Sequence, residues 1–123
     1  MSTKTYGDEP GGHFAKHMDS QALQTSGVIV AGPAVFYEVV GFNNSGSTRY
    51  FHIYDSATVP ADAAIPAMTP LAVGAGGTFS YNFSQAGLAL ASGLSWASST
   101  TVATKTITGA ADMWVTITHK ALP

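Results

Sequence analysis

The chain has no cysteine in its 123 residues. That excludes disulfide staples and cysteine-ligated zinc, so a domain of this size is held together by its core or by its neighbours. Charge is nearly as scarce: Asp, Glu, Lys and Arg make up 10% of the chain, against about 25% in an ordinary soluble domain. Lys4, Asp8, Glu9, Lys16 and Asp19 all fall in the first twenty positions, so the remainder is poorer still. A surface of Ser, Thr, Gly, Ala and Asn in place of Lys and Glu resembles one that is covered in an assembly, because charge is what keeps free proteins apart. With five basic residues and a net charge of -2, the chain lacks the clustered Lys and Arg of a nucleic-acid face. No run approaches the roughly 20 apolar residues of a membrane span. The first residues carry a lysine but no apolar stretch with a cleavage site after it, so no secretory signal is read. The expectation is a soluble protein made in a cytoplasm, with neither nucleic acid nor membrane as partner.

What the chain does have is alternation. Residues 48–55, Thr-Arg-Tyr-Phe-His-Ile-Tyr-Asp, predict a central strand with Phe51 and Ile53 on one face and Tyr50, His52 and Tyr54 on the other. Both faces carry aromatic area. One belongs in a core, and the other is expected to be partly covered by a loop or a neighbouring subunit. Residues 34–43 form the longest predicted strand, apolar on both faces with Glu38 its only charge, and the turn-forming residues 43–47 are expected to join the two strands as an antiparallel hairpin. Residues 56–71, punctuated by Pro60, Pro66 and Pro70, suit neither a central strand nor a helix and are expected to cross between sheets. In residues 78–84, Phe79, Tyr81 and Phe83 alternate with Thr78, Ser80, Asn82 and Ser84, which predicts three aromatics facing the core. Shorter strands are expected at 28–31, 71–73 and 93–97, with a brief strand or bend within 85–92 and an edge pairing at 106–108. A last strand over 113–120 sets Met113, Val115, Ile117 and His119 opposite Trp114, Thr116 and Thr118. The fold class is all-β, a single antiparallel β-sandwich of jelly-roll or Greek-key type over residues 27–123.

Residues 1–26 lack either structural period and are read as an extended N-terminal arm that gains order on a partner, with Tyr6, Phe14, Met18 and Leu23 as partner-binding anchors. A short helix over 13–23 would place His13 and His17 on one face, as a metal site needs, with Glu9 or Asp19 as the further ligand. Two histidines in such an arm are more economically read as chance, so no metal or cofactor is expected. His52, Asp55 and Asp112 are the acid-base candidates at strand ends, but the simpler reading makes the two aspartates turn caps and makes His52 and His119 partly buried, hydrogen-bonded sheet residues. Ser95, Ser98 and Ser99 have no nearby base and no nucleophile-elbow context. The chain is therefore expected not to be an enzyme. Tyr37, Tyr54 and Trp114 are the candidate surface aromatics, suited to stacking on a sugar or to contacting another subunit.

The series Gly41-Phe42-Asn43, Gly46, Arg49-Tyr50, residues 55–62 (Asp-Ser-Ala-Thr-Val-Pro-Ala-Asp), Pro66, Gly87, residues 93–100 (Gly-Leu-Ser-Trp-Ala-Ser-Ser-Thr), Ala103-Thr104-Lys105-Thr106 and Asp112 resembles small virion structural proteins of tailed phages and prophages. The resemblance spans residues 35–120. It implies a capsid decoration, or cement, protein on the virion surface, with the major capsid protein as partner and a homo-oligomer, most simply a trimer, as the assembled form. A carbohydrate- or receptor-binding module of a tail or fibre is the alternative.

Overall fold

The structure is a computed structural model, and it describes residues 16–19 and 23–123. Nine strands form among the described residues: β1 (Lys16–Asp19), β2 (Ser26–Val30), β3 (Ala34–Asn43), β4 (Arg49–Asp55), β5 (Leu71–Val73), β6 (Thr78–Asn82), β7 (Leu88–Leu90), β8 (Leu94–Ser99) and β9 (Met113–Ala121). They make two antiparallel sheets. Sheet A runs β1-β9-β3-β6, with β7 pairing β3 beyond β6, and sheet B runs β2-β8-β4-β5. The first strand thus pairs the last, the second pairs the last but one, the third pairs the interrupted β6 and β7, and the fourth pairs the fifth. Nested pairing of this kind is a long hairpin rolled up on itself, which is the jelly roll.

The core lies between the sheets and follows the predicted alternation in β4 and β9, whereas in β3 a bulge between Phe36 and Glu38 shifts the alternation and turns both Phe36 and Val39 inward. Phe36 and Val39 of β3 and Met113, Val115 and Ile117 of β9 face Phe51 and Ile53 of β4 and Leu94 and Trp96 of β8. Phe51 sits at the centre, its ring 5.9 Å from Trp96 in a stacked arrangement and 5.3 Å from Phe79. Burying an aromatic of this size contributes about 1.5–3 kcal/mol, so this trio is a large part of the driving force. Within sheet A, Phe79 of β6 lies opposite Gly41 of β3, and its ring covers that position so closely that a Cβ there would stand 2.3 Å from it.

Four expectations are corrected. The hairpin between residues 34–43 and 48–55 does not form, because β3 lies in sheet A and β4 in sheet B. Both edges of β3 are already taken, and the Asn43 side chain turns the corner by donating through Nδ2 to the carbonyls of Ser47, Val73 and Gly74 at 2.9–3.1 Å. Conversely, residues 56–70 do not cross between sheets: they leave β4 and return as its neighbour β5. Their prolines bar them from the ladder, yet the Ala67 amide donates to the Ile53 carbonyl at 2.7 Å and keeps the excursion close to the sheet. The helix expected over 13–23 gives way, at 16–19, to a strand paired with β9 from Lys16 opposite His119 to Asp19 opposite Thr116. Together with the Gln24 to Met113 backbone pair, this means the sheets begin inside the segment expected to be an arm. Finally, Tyr81 shares a face with core residues but sits on edge strand β6, where no further strand closes over it, and it stays partly exposed.

Candidate functional site

The two outer faces of the sandwich differ. On sheet B, the outward residues of β4 are Tyr50, His52 and Tyr54, and their register partners on β8 are Ser99, Ala97 and Ser95. His52 and Ala97 are fully buried and Tyr54 is 2% exposed. The cover comes from the chain itself. Ser95 donates through Oγ to the Thr58 carbonyl, Ser99 donates to the carbonyl of Thr101, and the loops 56–70 and 100–112 are stitched together by Ala63 N–H to Lys105 O and Lys105 N–H to Ala64 O, each 2.8 Å. Lys105, 3% exposed, adds an ion pair from Nζ to Asp62 Oδ1 at 2.9 Å, and the same oxygen accepts the Ile107 amide. Tyr54 is thus corrected from a surface aromatic to a buried one, because the proline-rich excursion lies over its face.

Under this cover His52 Nδ1 and the Tyr54 hydroxyl are 2.7 Å apart, while His52 Nε2 has no hydrogen-bond partner. Burial lowers the His52 pKa, with the Lys105 charge adding to it; the carbonyls of Thr101 and Val102 act the other way. Burial, and then the Asp62 charge, push the Tyr54 hydroxyl up, so it stays protonated. Asp62 is held below the usual carboxylate value, first by its hydrogen bond to Lys105.

The acid-base group considered over His52, Asp55 and Asp112 is not assembled. Asp55 and Asp112 lie at opposite ends of β4, a separation of about 20 Å for a strand of this length. Asp55 caps the β7–β8 turn, accepting the amides of Ala91, Ser92 and Gly93 at 2.8–3.3 Å. Asp112 instead accepts Arg49 Nε at 3.0 Å, tying the 100–112 loop to the start of β4. His119 is buried in β9, its Nδ1 3.3 Å from the Ile117 carbonyl.

On sheet A, Phe42 of β3 lies opposite Trp114 of β9 and Thr78 of β6, while Val40 lies opposite Thr116 and Ser80. Directly opposed residues share a face. Val40 is 50% exposed, Trp114 44%, and Phe42 is half-buried. The register puts Glu38, opposite Thr118, and Lys120 on this face too, with Asp19 of β1 opposite Thr116, so the apolar and hydroxyl-rich part is the strip over Val40, Phe42 and Trp114. Trp114 stands where the sequence placed it. Tyr37 is half-buried against the Gly87 turn, where the chain takes a positive φ of 73° and comes within contact of the Tyr37 ring. Val40 and Phe42 were not singled out from the sequence, although their register with Trp114 was the signal that marks this face.

Where the sheets part at the β5 and β6 edges, a groove of about 570 Å³ is lined by Ala67, Met68, Leu71, Tyr81, Phe83 and Leu88. Tyr81 and Phe83 meet edge to face at 5.9 Å on its wall. Of the arm anchors, Tyr6 and Phe14 lie outside the described residues, as does His13. Met18 pairs with Ile117 in β1, and Leu23 is half-buried.

No family model matches the chain, and neither does any curated protein. Among solved structures it matches the coat protein of Tobacco streak virus, with 14% identity, 99% of this chain and 93% of that one covered, and a TM-score of 0.38. A likeness that loose carries no argument about function.

Proposed function

We propose that the chain is a structural protein of a virion and, more narrowly, a decoration or cement protein that binds a phage head and bridges major capsid subunits as a homo-oligomer, most simply a trimer. The observation that carries this reading is the outer face of sheet A, where Val40, Phe42 and Trp114 form an apolar strip on a chain in which one residue in ten is charged. Aromatic anchors in a charge-depleted patch are what the centre of a protein interface is made of. The jelly roll supports the reading without deciding it, since viral capsid domains and lectins both use it. The sequence resemblance to phage virion proteins favours the first of these.

In this reading the sheet A face seats on the capsid surface, and residues 1–15 run along a neighbouring subunit with Tyr6 and Phe14 as anchors. Because residues 16–19 pair with β9, the deletion that tests the arm stops at residue 15. The shortened protein is expected to fold and to bind particles more weakly. No catalytic role is assigned. The direct test is copy number: quantitative mass spectrometry of purified particles should count hundreds of copies each, and a handful per particle rejects decoration.

A tail or fibre module that binds carbohydrate is the second reading, favoured by the exposed indole of Trp114 on a fold that lectins share. A glycan array separates the two. A cement protein is silent on it, whereas a lectin-like module loses its signal on Trp114→Ala.

A further inference from the structure

The cover of sheet B holds a titratable group for which the proposed function has no use. His52 lies at the middle of β4 with no exposed surface, hydrogen-bonded on one side to Tyr54 and unpartnered on the other, directly under the loops that Lys105 and Ala63 stitch together. We propose that His52 is an acid-sensitive latch, whose protonation releases loops 56–70 and 100–112 from the outer face of sheet B while the two-sheet core stays folded.

A neutral imidazole fits this site, because one nitrogen is satisfied by the Tyr54 hydroxyl and the other sits against apolar and backbone surroundings. An imidazolium has two N–H donors and a charge; Nε2 has no acceptor at hydrogen-bond geometry, and the nearby carbonyls of Thr101 and Val102, which favour the cation, are outweighed by burial. The groups facing it give little help. On its own strand these are Tyr50 and Tyr54; β8 contributes Ser95, Ala97 and Ser99, none of them ionisable in this range; the 100–112 loop contributes Lys105, a like charge; and the 56–70 loop contributes Asp62, which is already committed to Lys105 and to the Ile107 amide.

Opening the loops gives the ring to water while the two-sheet core stays packed, because they are held by a few hydrogen bonds and two ion pairs, Lys105 to Asp62, whose carboxylate is half exposed, and Asp112 to Arg49 at the far end of the 100–112 loop. The loops also carry stress of their own: Ala63, at the stitch, has a φ of 75°, a conformation disfavoured for a residue with a Cβ. The sign of the effect follows from burial. With the closed-state pKa of His52 lowered and the open-state value near the ordinary 6.5, the closed form is favoured fully above that pH and loses ground as pH falls below it. Asp62, held below the usual carboxylate value, keeps its charge through the upper part of that window, which leaves His52 as the group in this cluster that changes.

The test is amide hydrogen exchange on the full chain between pH 7.5 and 4.5, corrected for intrinsic rates, together with a ring-carbon NMR titration of His52. Protection of the Ala63 and Lys105 amides should fall about tenfold per pH unit below pH 6.5, while the amides of β3 and β9 keep theirs. His52→Gln should remove the pH dependence. Unchanged protection down to pH 4.5, or a His52 ring that protonates while those two amides stay protected, overturns the proposal using the unmodified protein alone. The same fall in His52→Gln would also overturn it.

Discussion

The two outer faces of this sandwich are built from the same kind of strand and meet solvent in opposite ways. Sheet B carries Tyr50, His52 and Tyr54 outward and buries the last two under its own connections, with Tyr50 half-buried at the margin, whereas sheet A carries Val40, Phe42 and Trp114 outward and leaves them partly bare. The difference lies in the connections. Loops 56–70 and 100–112 are long, and both fold back over sheet B, where Ala63, Ala64 and Lys105 lace them together. A chain this poor in charge gains from covering apolar area wherever it can; among the described residues the sheet A face has no such cover, which fits the interface proposed for it.

The largest effect is expected where a charge is forced under the cover. Ala97→Lys on β8 has no room and no partner, and it should cost about 3–5 kcal/mol in urea unfolding, the range for an uncompensated buried charge. Acidification comes next. Since burial depresses the His52 pKa in the folded chain, its stabilising effect is complete above pH 6.5 and declines below it, by at most about 1.4 kcal/mol per pH unit. Unfolding midpoints of the unmodified protein and His52→Gln should therefore converge as pH falls. Asp112→Asn, which weakens the tie from the 100–112 loop to Arg49, should cost about 1–2 kcal/mol and less at high salt, a largely buried pair losing one charge. The smallest change is expected on the open face. Val40→Lys should alter stability by no more than about 0.5 kcal/mol, while weakening particle binding strongly. Equal stability losses for Ala97→Lys and Val40→Lys would erase the distinction between the faces.

Much of this arrangement was legible in the sequence because strands announce themselves by period two. Alternation located β4 and its two faces, and apolar area on both sides of that strand already implied that something covers the second. The corner at residues 43–47 was not legible: Asn-Asn-Ser-Gly-Ser serves a hairpin or a change of sheet equally well, and what decides is Asn43 bonding to carbonyls 30 residues away. The destination of residues 56–70 is hidden for the same reason, since prolines exclude a ladder but do not say which edge the chain returns to. Tyr81 shows the limit of the pattern, because alternation gives the side of a sheet and not the distance from its edge. Of the site, Trp114 was visible, but Val40 and Phe42 became its companions only through the β3–β9 register. Tyr54 read as a surface aromatic because nothing in the sequence shows that residues 56–70, which follow directly, fold back over its face and are laced there to the distant loop 100–112.

The most direct test of the contrast between the faces is hydroxyl-radical footprinting of the free protein and of the protein bound to particles. Binding should protect Trp114, Val40 and Phe42 and leave the reactivity of loops 56–70 and 100–112 unchanged. Protection of the loops, with Trp114 as reactive on the particle as in solution, would contradict the account.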